Sequence, residues 1–239
     1  PDQSLVRVFQ KHGFDVYVTE WLSATYHDKD LGIEDYVNLT DDAVNAICRQ
    51  TGAECVHIVG QCQGGWQAAM YSSLHPEKIK SLIIAAAPID LEADSCAITE
   101  YVKMPISYYQ ALVSLGFGLM DGKIMVMGFK SLQIDQHYHL KYKLLWDMIE
   151  NNDEDGIQRY LRFENWYGYT QKLPGRFYLE VVNDLFKKNG LVKKRFRFNN
   201  KVVDLHNIKC RTIILAGDKD HITTPRQVFA LKDHVSTPK

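Results

Sequence analysis

The chain has 239 residues, of which 46% are apolar and 24% charged, with a formal net charge of −1. That length suits one large α/β domain or two small ones, with enough apolar material for a substantial core. The near-neutral balance makes no electrostatic case for a nucleic-acid partner, and no stretch reaches the roughly 18 apolar residues of a membrane span.

In chain order, Ser4–His12 reads as a helix with Leu5, Val8 and Phe9 on one face and Gly13 as its stop. "FDVYVT", Phe14–Thr19, reads as a strand, and a polar stretch follows to Gly32. Glu34–Thr51 has a helical pattern, with Val37, Val44 and Ile47 as its apolar stripe and Gly52 at its end. Cys55–Gly60 reads as a strand and Gly64–Leu74 as a helix, with Pro76 breaking the chain beyond it. "SLIIAAA", Ser81–Ala87, is a continuous apolar run that suits a parallel strand buried on both faces. This alternation predicts a parallel sheet with crossover helices.

The rhythm then stops. From Leu91 to Leu191 the pattern is helical, rich in Tyr, Met and Trp, and no strand is expected. Asn151–Gly156 reads as a solvated turn, and a helix begins near Pro174 and stops at Gly190. A strand returns at Thr212–Ala216, followed by "GDKDHITTP" and a short helix from Arg226. A helical block between two sheet strands suggests a lid. The expected division is a core of 1–90 and 205–239 with a lid at 91–204.

The five cysteines, Cys48, Cys55, Cys62, Cys96 and Cys210, are odd in number and form no CxxC pair. They suggest neither a disulfide framework nor a zinc site, and a reducing cytoplasm is the simplest compartment. His137 and His139 are two apart and would diverge on a helix, so no metal-ligand spacing is present. No glycine loop of phosphate-cradling form occurs, so no resident cofactor is expected.

In open parallel sheets, ligands bind beyond the carboxyl ends of the strands. Gly60-Gln61-Cys62-Gln63-Gly64 falls at such an end. It fits the G-x-S-x-G elbow of the α/β-hydrolase fold with Cys in place of Ser. The small residues would let strand and helix approach, Cys62 would sit at a helix N-terminus whose dipole favours a thiolate, and the Gln63 N–H would face the developing oxyanion. The acid of such a triad follows a late strand, and Asp220 is favoured over Asp218 and Asp90. His221 adjoins that acid and cannot easily orient on it while reaching Cys62, and His234 reads as a surface residue. The base and the second oxyanion donor are therefore expected outside these 239 residues, and this piece alone is expected to be nearly inactive.

"GQCQGG", Gly60–Gly65, resembles the G-x-C-x-G-G box of poly(3-hydroxyalkanoate) synthases. The similarity extends over most of the chain, through "LGIEDYVNLTDDAVNAICRQTGAECVHIVGQCQGG", "FENWYGYTQKLPGRFYLEVVNDLFKKNGL" and "VVDLHNIKCRTIILAGDKDHITTP". The resemblance implies an α/β-hydrolase fold and an acyltransferase. It places the catalytic cysteine at Cys62, the aspartate at Asp220 and the accompanying histidine at His221, with Gly60, Gly64 and Gly65 supporting the turn. It also implies that a 3-hydroxyacyl group passes from a CoA thioester through a cysteine acyl-enzyme to a hydroxyl, in the cytoplasm, in a homodimer or at a polymer granule surface. Two other readings stay open. One is a hydrolase, a thioesterase or hydroxyalkanoate depolymerase, using the same pair with water as acceptor. The other is a granule-associated or scaffold protein without turnover.

Overall fold

The computed structural model describes residues 4–131 and 139–237; His137 lies outside the described residues. Its centre is a three-stranded parallel sheet of β1 (Val56–Gln61), β2 (Ile79–Ala85) and β7 (Arg211–Leu215), in the order β1-β2-β7. The register aligns Gly60 with Ile84 and Ala85 with Leu215, so the three strands end together at one edge. Parallel neighbours need crossovers. The first is α3 (Gln63–Leu74), and the second is the whole stretch from residue 86 to 210.

Helix α3 lies across the sheet and is buried almost along its length, with Trp66, Ala69, Met70 and Tyr71 at 1% exposure or less. It packs on β1 and β2 and on α2 (Ile33–Thr51). Small residues at Ala68 and Ala69 permit close approach, while Trp66 reaches out to stack on Phe177 at 6.2 Å. Phe177 in turn meets Tyr36 of α2, and Tyr36 meets Trp21, at 4.3 and 4.8 Å between ring centres. This aromatic chain joins α2, α3 and α9 (Gly175–Glu180). Helix α2 ends as its sequence demands, with Gly52 in the left-handed conformation returning its N–H to Cys48.

Between β2 and β7 the chain is mainly helical: α4 (Ala97–Tyr101), α5 (Ile106–Leu115), α6 (Gly122–Ser131), α7 (Lys141–Glu150), α8 (Glu154–Gly168) and α9. A second buried cluster joins α4, α5 and α9, with Tyr109 and Met120 fully buried at its centre and, among the described residues, none from α7 or α8. The helix begun after Pro174 changes to π geometry at Val181–Lys187 before its stop at Gly190.

Four features correct the sequence reading. Phe14–Thr19 has strand-like composition but forms no strand. A strand exists only through a partner, and no described strand lies alongside these residues; Val18 stays 69% exposed. The helix before it, α1 (Leu5–Lys11), forms but buries nothing. Second, β2 is not buried on both faces: Leu82 and Ile84 point at α3 and are fully buried, while Ile83 is half-buried. Its in-register neighbours Val59 and Ile213 lie 40% and 44% exposed on that opposite face. Third, the helical block does contain strands, a two-residue antiparallel pair of β3 (Leu119–Met120) and β4 (Leu173–Pro174). Fourth, a small hairpin of β5 (Arg197–Phe198) and β6 (Lys201–Val202) precedes β7, its turn made by Asn199 and Asn200 at positive φ. Among the described residues, no helix is long and apolar enough to cross a membrane.

Candidate active site

The sharpest backbone feature at the carboxyl edge of the sheet is Cys62. It links β1 directly to α3 with φ 51° and ψ −116°, a conformation that costs a non-glycine residue roughly 1–3 kcal/mol. Hydrogen bonds pin it on both sides: its N–H donates to Ala85 of β2 at 2.8 Å, and its carbonyl accepts from Gly65 at 2.9 Å. Space is the second constraint. A Cβ at Gly60 would lie 2.3 Å from the Gly64 carbonyl oxygen, and one at Gly65 would lie 2.4 Å from the Ala87 methyl. Both positions therefore need glycine so that strand and helix can meet. Gly64 does not, because a Cβ there would meet nothing within 4 Å. The expectation that Gly64 brings the elements together is corrected on this point.

Cys62 is accessible to solvent, yet burial around its sulfur pushes the thiol above its ordinary pKa. A hydrogen bond from the Gln63 backbone N–H opposes that rise, and the charge of Asp220 adds to it. The balance departs from the expected thiolate. Desolvation and a neighbouring carboxylate outweigh the helix terminus, so at neutral pH the sulfur holds its proton.

Asp220 sits in the loop after β7. Its N–H donates to Gly217 at 3.1 Å, closing the turn. Its Oδ1 accepts from the N–H groups of Ile222 and Thr223, at 2.9 and 3.0 Å. Those bonds fix the carboxylate on the same side of the sheet as Cys62, near enough for its charge to act on the thiol. Asp218 lies exposed in the same loop. Asp90 has another occupation: its Oδ1 accepts from Asn189 Nδ2 at 2.7 Å and from the Glu92 N–H at 2.9 Å. Asn189, 2% exposed and at positive φ, also accepts from the Leu91 N–H, so it locks the end of the helical block onto the loop after β2. The Asn-Gly pair at Asn189–Gly190 was its one sequence signal, readable as a turn but not as a lock.

His221 accepts a hydrogen bond from the Ala97 N–H through its carbonyl, which ties the Asp220 loop to the start of α4. Among the described residues, no histidine ring is hydrogen-bonded to Cys62 or to Asp220. Ala86, one residue beyond β2, also adopts a left-handed φ of 49° beside the Cys62 turn, and nothing in its sequence context signals this. Among the described residues, no group of three or more His, Cys, Asp or Glu side chains could hold a metal ion.

Comparison with known proteins places this geometry in context. Residues 33–235 match the family described as "Protein of unknown function (DUF3141)". The poly(3-hydroxyalkanoate) polymerase subunit PhaC of Synechocystis is 29% identical over 237 residues, covering 98% of this chain and 62% of that protein. The PhaC subunit of Haloferax mediterranei is 27% identical, covering 98% of this chain and 47% of that protein. The chain thus spans about half to three-fifths of the length of these relatives. Among solved structures, the monoacylglycerol lipase of Paleococcus ferrophilus superposes with a TM-score of 0.56 at 16% identity, covering 98% of this chain and 74% of that one. With its parallel sheet and its Cys62 turn, the chain has an α/β-hydrolase fold and is similar to poly(3-hydroxyalkanoate) polymerase subunits, and it belongs to the DUF3141 family.

Proposed function

We propose that the protein is an acyltransferase of the poly(3-hydroxyalkanoate) synthase type, with Cys62 as nucleophile, Asp220 as the triad acid and the Gln63 N–H as an oxyanion donor. The observation that carries this reading is Cys62 itself. It is a strained cysteine at the junction of strand and buried helix, and the charge of a backbone-anchored carboxylate in the loop after β7 acts on its thiol. Strain of this kind persists where the surroundings over-determine it, and it clusters at functional sites. We assign 91–204 as a lid over this edge, since the chain leaves the sheet after Ala85 and returns at Arg211.

The chemistry follows from the thiol's state. A general base takes the proton from Sγ, and the thiolate attacks the carbonyl carbon of a 3-hydroxyacyl-CoA thioester. The carbonyl oxygen becomes an oxyanion facing the Gln63 N–H. The carbon–sulfur bond to CoA then breaks, CoA leaves with a proton, and the acyl group stays on Cys62 as a thioester. A hydroxyl attacks that thioester, gives up its proton to the base, forms an ester and releases the Cys62 thiolate. A thioester intermediate keeps the acyl group reactive enough to be passed on, which a serine ester does less readily. Because the thiol's pKa is raised, the base is indispensable. The reading gives that task to a histidine oriented by Asp220.

The test is to incubate the intact protein with 3-hydroxybutyryl-CoA and follow both CoA release and the acyl product. Polymer or ester, lost in Cys62→Ala, is the expected result. Free hydroxyacid with the same Cys62 dependence would replace acyl transfer by hydrolysis. Turnover unchanged in Cys62→Ala would overturn the site.

A further inference from the structure

Gln227 is a fully buried amide in the short helix α10 (Pro225–Phe229), which begins two residues after Thr223, whose N–H is bonded to Asp220. Its place in the sequence suggests a local duty. Thr224 is the N-cap of α10 and Gln227 stands three residues on, the spacing of a capping box, in which the glutamine reaches back to the cap's own N–H. The structure sends the side chain elsewhere. Thr224 makes no side-chain capping bond, and Gln227 Nε2 donates to the carbonyl of Asp94 at 2.8 Å, 133 positions away. The Gln227 carbonyl accepts from the Asp90 N–H at 3.3 Å, and the His221 carbonyl accepts from the Ala97 N–H at 3.0 Å. These three bonds fasten residues 221–227, which follow Asp220 directly, to residues 90–97 after β2. Gln227 takes part in two of them, and its amide is the one side-chain donor of the three.

The other end of the amide is unsatisfied. Gln227 Oε1 is buried with no hydrogen-bond partner among the described residues, and so is Thr224 Oγ1 in the same turn. A buried acceptor without a donor costs free energy, and an apolar side chain of the same length would fill the space without that cost. Stability alone is therefore a poor reason for a buried glutamine here, and the bond to Asp94 is what the amide adds. We propose that Gln227 is a positioning residue that holds the Asp220 loop against the loop after β2 and so fixes the carboxylate relative to Cys62. It acts through the loop, since its donor goes to Asp94 and not to Asp220. The inference rests on the assignment of Cys62 and Asp220 to one site.

Gln227→Met tests this, because it keeps the length of the side chain and removes the donor. Its circular-dichroism spectrum is expected to be unchanged and its urea midpoint to move little, since the lost hydrogen bond is offset by the loss of the orphaned acceptor. Iodoacetamide alkylation, followed on the Cys62 peptide at pH 7, reads the placement of the carboxylate without any substrate. It is compared in the intact native protein, Gln227→Met, Asp220→Asn and the double variant. A loosened loop weakens the hold of the Asp220 charge on the thiol, so alkylation is expected to speed up roughly two- to threefold in Gln227→Met. Added to Asp220→Asn, the same change is expected to have no further effect, because the charge it places is already gone. With 3-hydroxybutyryl-CoA, Gln227→Met is expected to lower kcat about tenfold with KM unchanged. Alkylation unchanged in Gln227→Met, or accelerated equally with and without the Asp220 charge, would overturn the proposal and leave Gln227 a packing residue. A native protein that leaves the CoA ester intact would sink the acyltransferase reading alone, since the alkylation comparison decides the positioning role by itself.

Discussion

At Gly60, Gly64 and Gly65 three identical residues face three different constraints. Alanine at Gly60 or Gly65 drives a methyl into backbone or a neighbouring methyl at 2.3–2.4 Å, while at Gly64 it projects into open space in the first turn of α3. Gly60→Ala and Gly65→Ala are expected to destabilise the protein by roughly 2–3 kcal/mol or more, and Gly64→Ala by less than about 1 kcal/mol in either direction. Urea unfolding checks this, and equal losses at all three positions would contradict the packing described. The Cys62 thiol gives a second expectation. Its pKa is raised by burial and further by the Asp220 charge. Asp220→Asn removes that charge, lowers the thiol pKa and raises the thiolate fraction near neutral pH. Iodoacetamide alkylation of Cys62 should therefore speed up in Asp220→Asn even as turnover falls. Slower or unchanged alkylation would separate Asp220 from Cys62 electrostatically.

Helix α3 is specified differently at its two ends. Its amino end carries the Cys62 turn, and its carboxyl end is held by Asp41 of α2, which accepts from Tyr71 Oη at 2.9 Å and from Lys78 Nζ at 2.6 Å. Burial raises the Asp41 pKa, but the hydrogen bonds from Lys78, Tyr71 and Asn45 and the nearby His75 outweigh it, and the carboxyl titrates below its ordinary 3.8. A lowered folded-state pKa contributes stability above the unfolded-state value and loses it as pH falls through the folded one. Asp41→Ala is expected to lose about 2 kcal/mol at pH 7, leaving the buried Tyr71 hydroxyl without its acceptor. The gap between the native protein and Asp41→Asn should narrow as the pH falls below 3.8. A gap that stays constant down to acid pH would remove the charge from the account. Elements whose partners are local, such as α2, β1 and α3, were legible because periodicity, Gly52 and Pro76 mark them. Phe14–Thr19 was misread because alternation records a face, not the presence of a neighbouring strand. The exposed face of β2 was misread for the same reason: "SLIIAAA" states apolarity and not what covers it.

Over the whole molecule, the placement of the Cys62 turn and the Asp220 loop at one carboxyl edge was legible because strand-end loops must fall together once the sheet is parallel. The thiol's raised pKa was not legible, because it depends on packing around one sulfur and on a charge 158 positions further along the chain. The Asn189 lock escaped for a similar reason, joining residues 99 positions apart. The acyl group is proposed to reside on Cys62. The measurement that reaches it most directly is peptide mass mapping of the intact protein, quenched in acid shortly after mixing with 3-hydroxybutyryl-CoA. A hydroxybutyryl thioester on the Cys62 peptide, absent in Cys62→Ala and released by hydroxylamine, is the predicted result. Acylation at another residue, or turnover of the CoA thioester with Cys62 unmodified and replaceable, would contradict it.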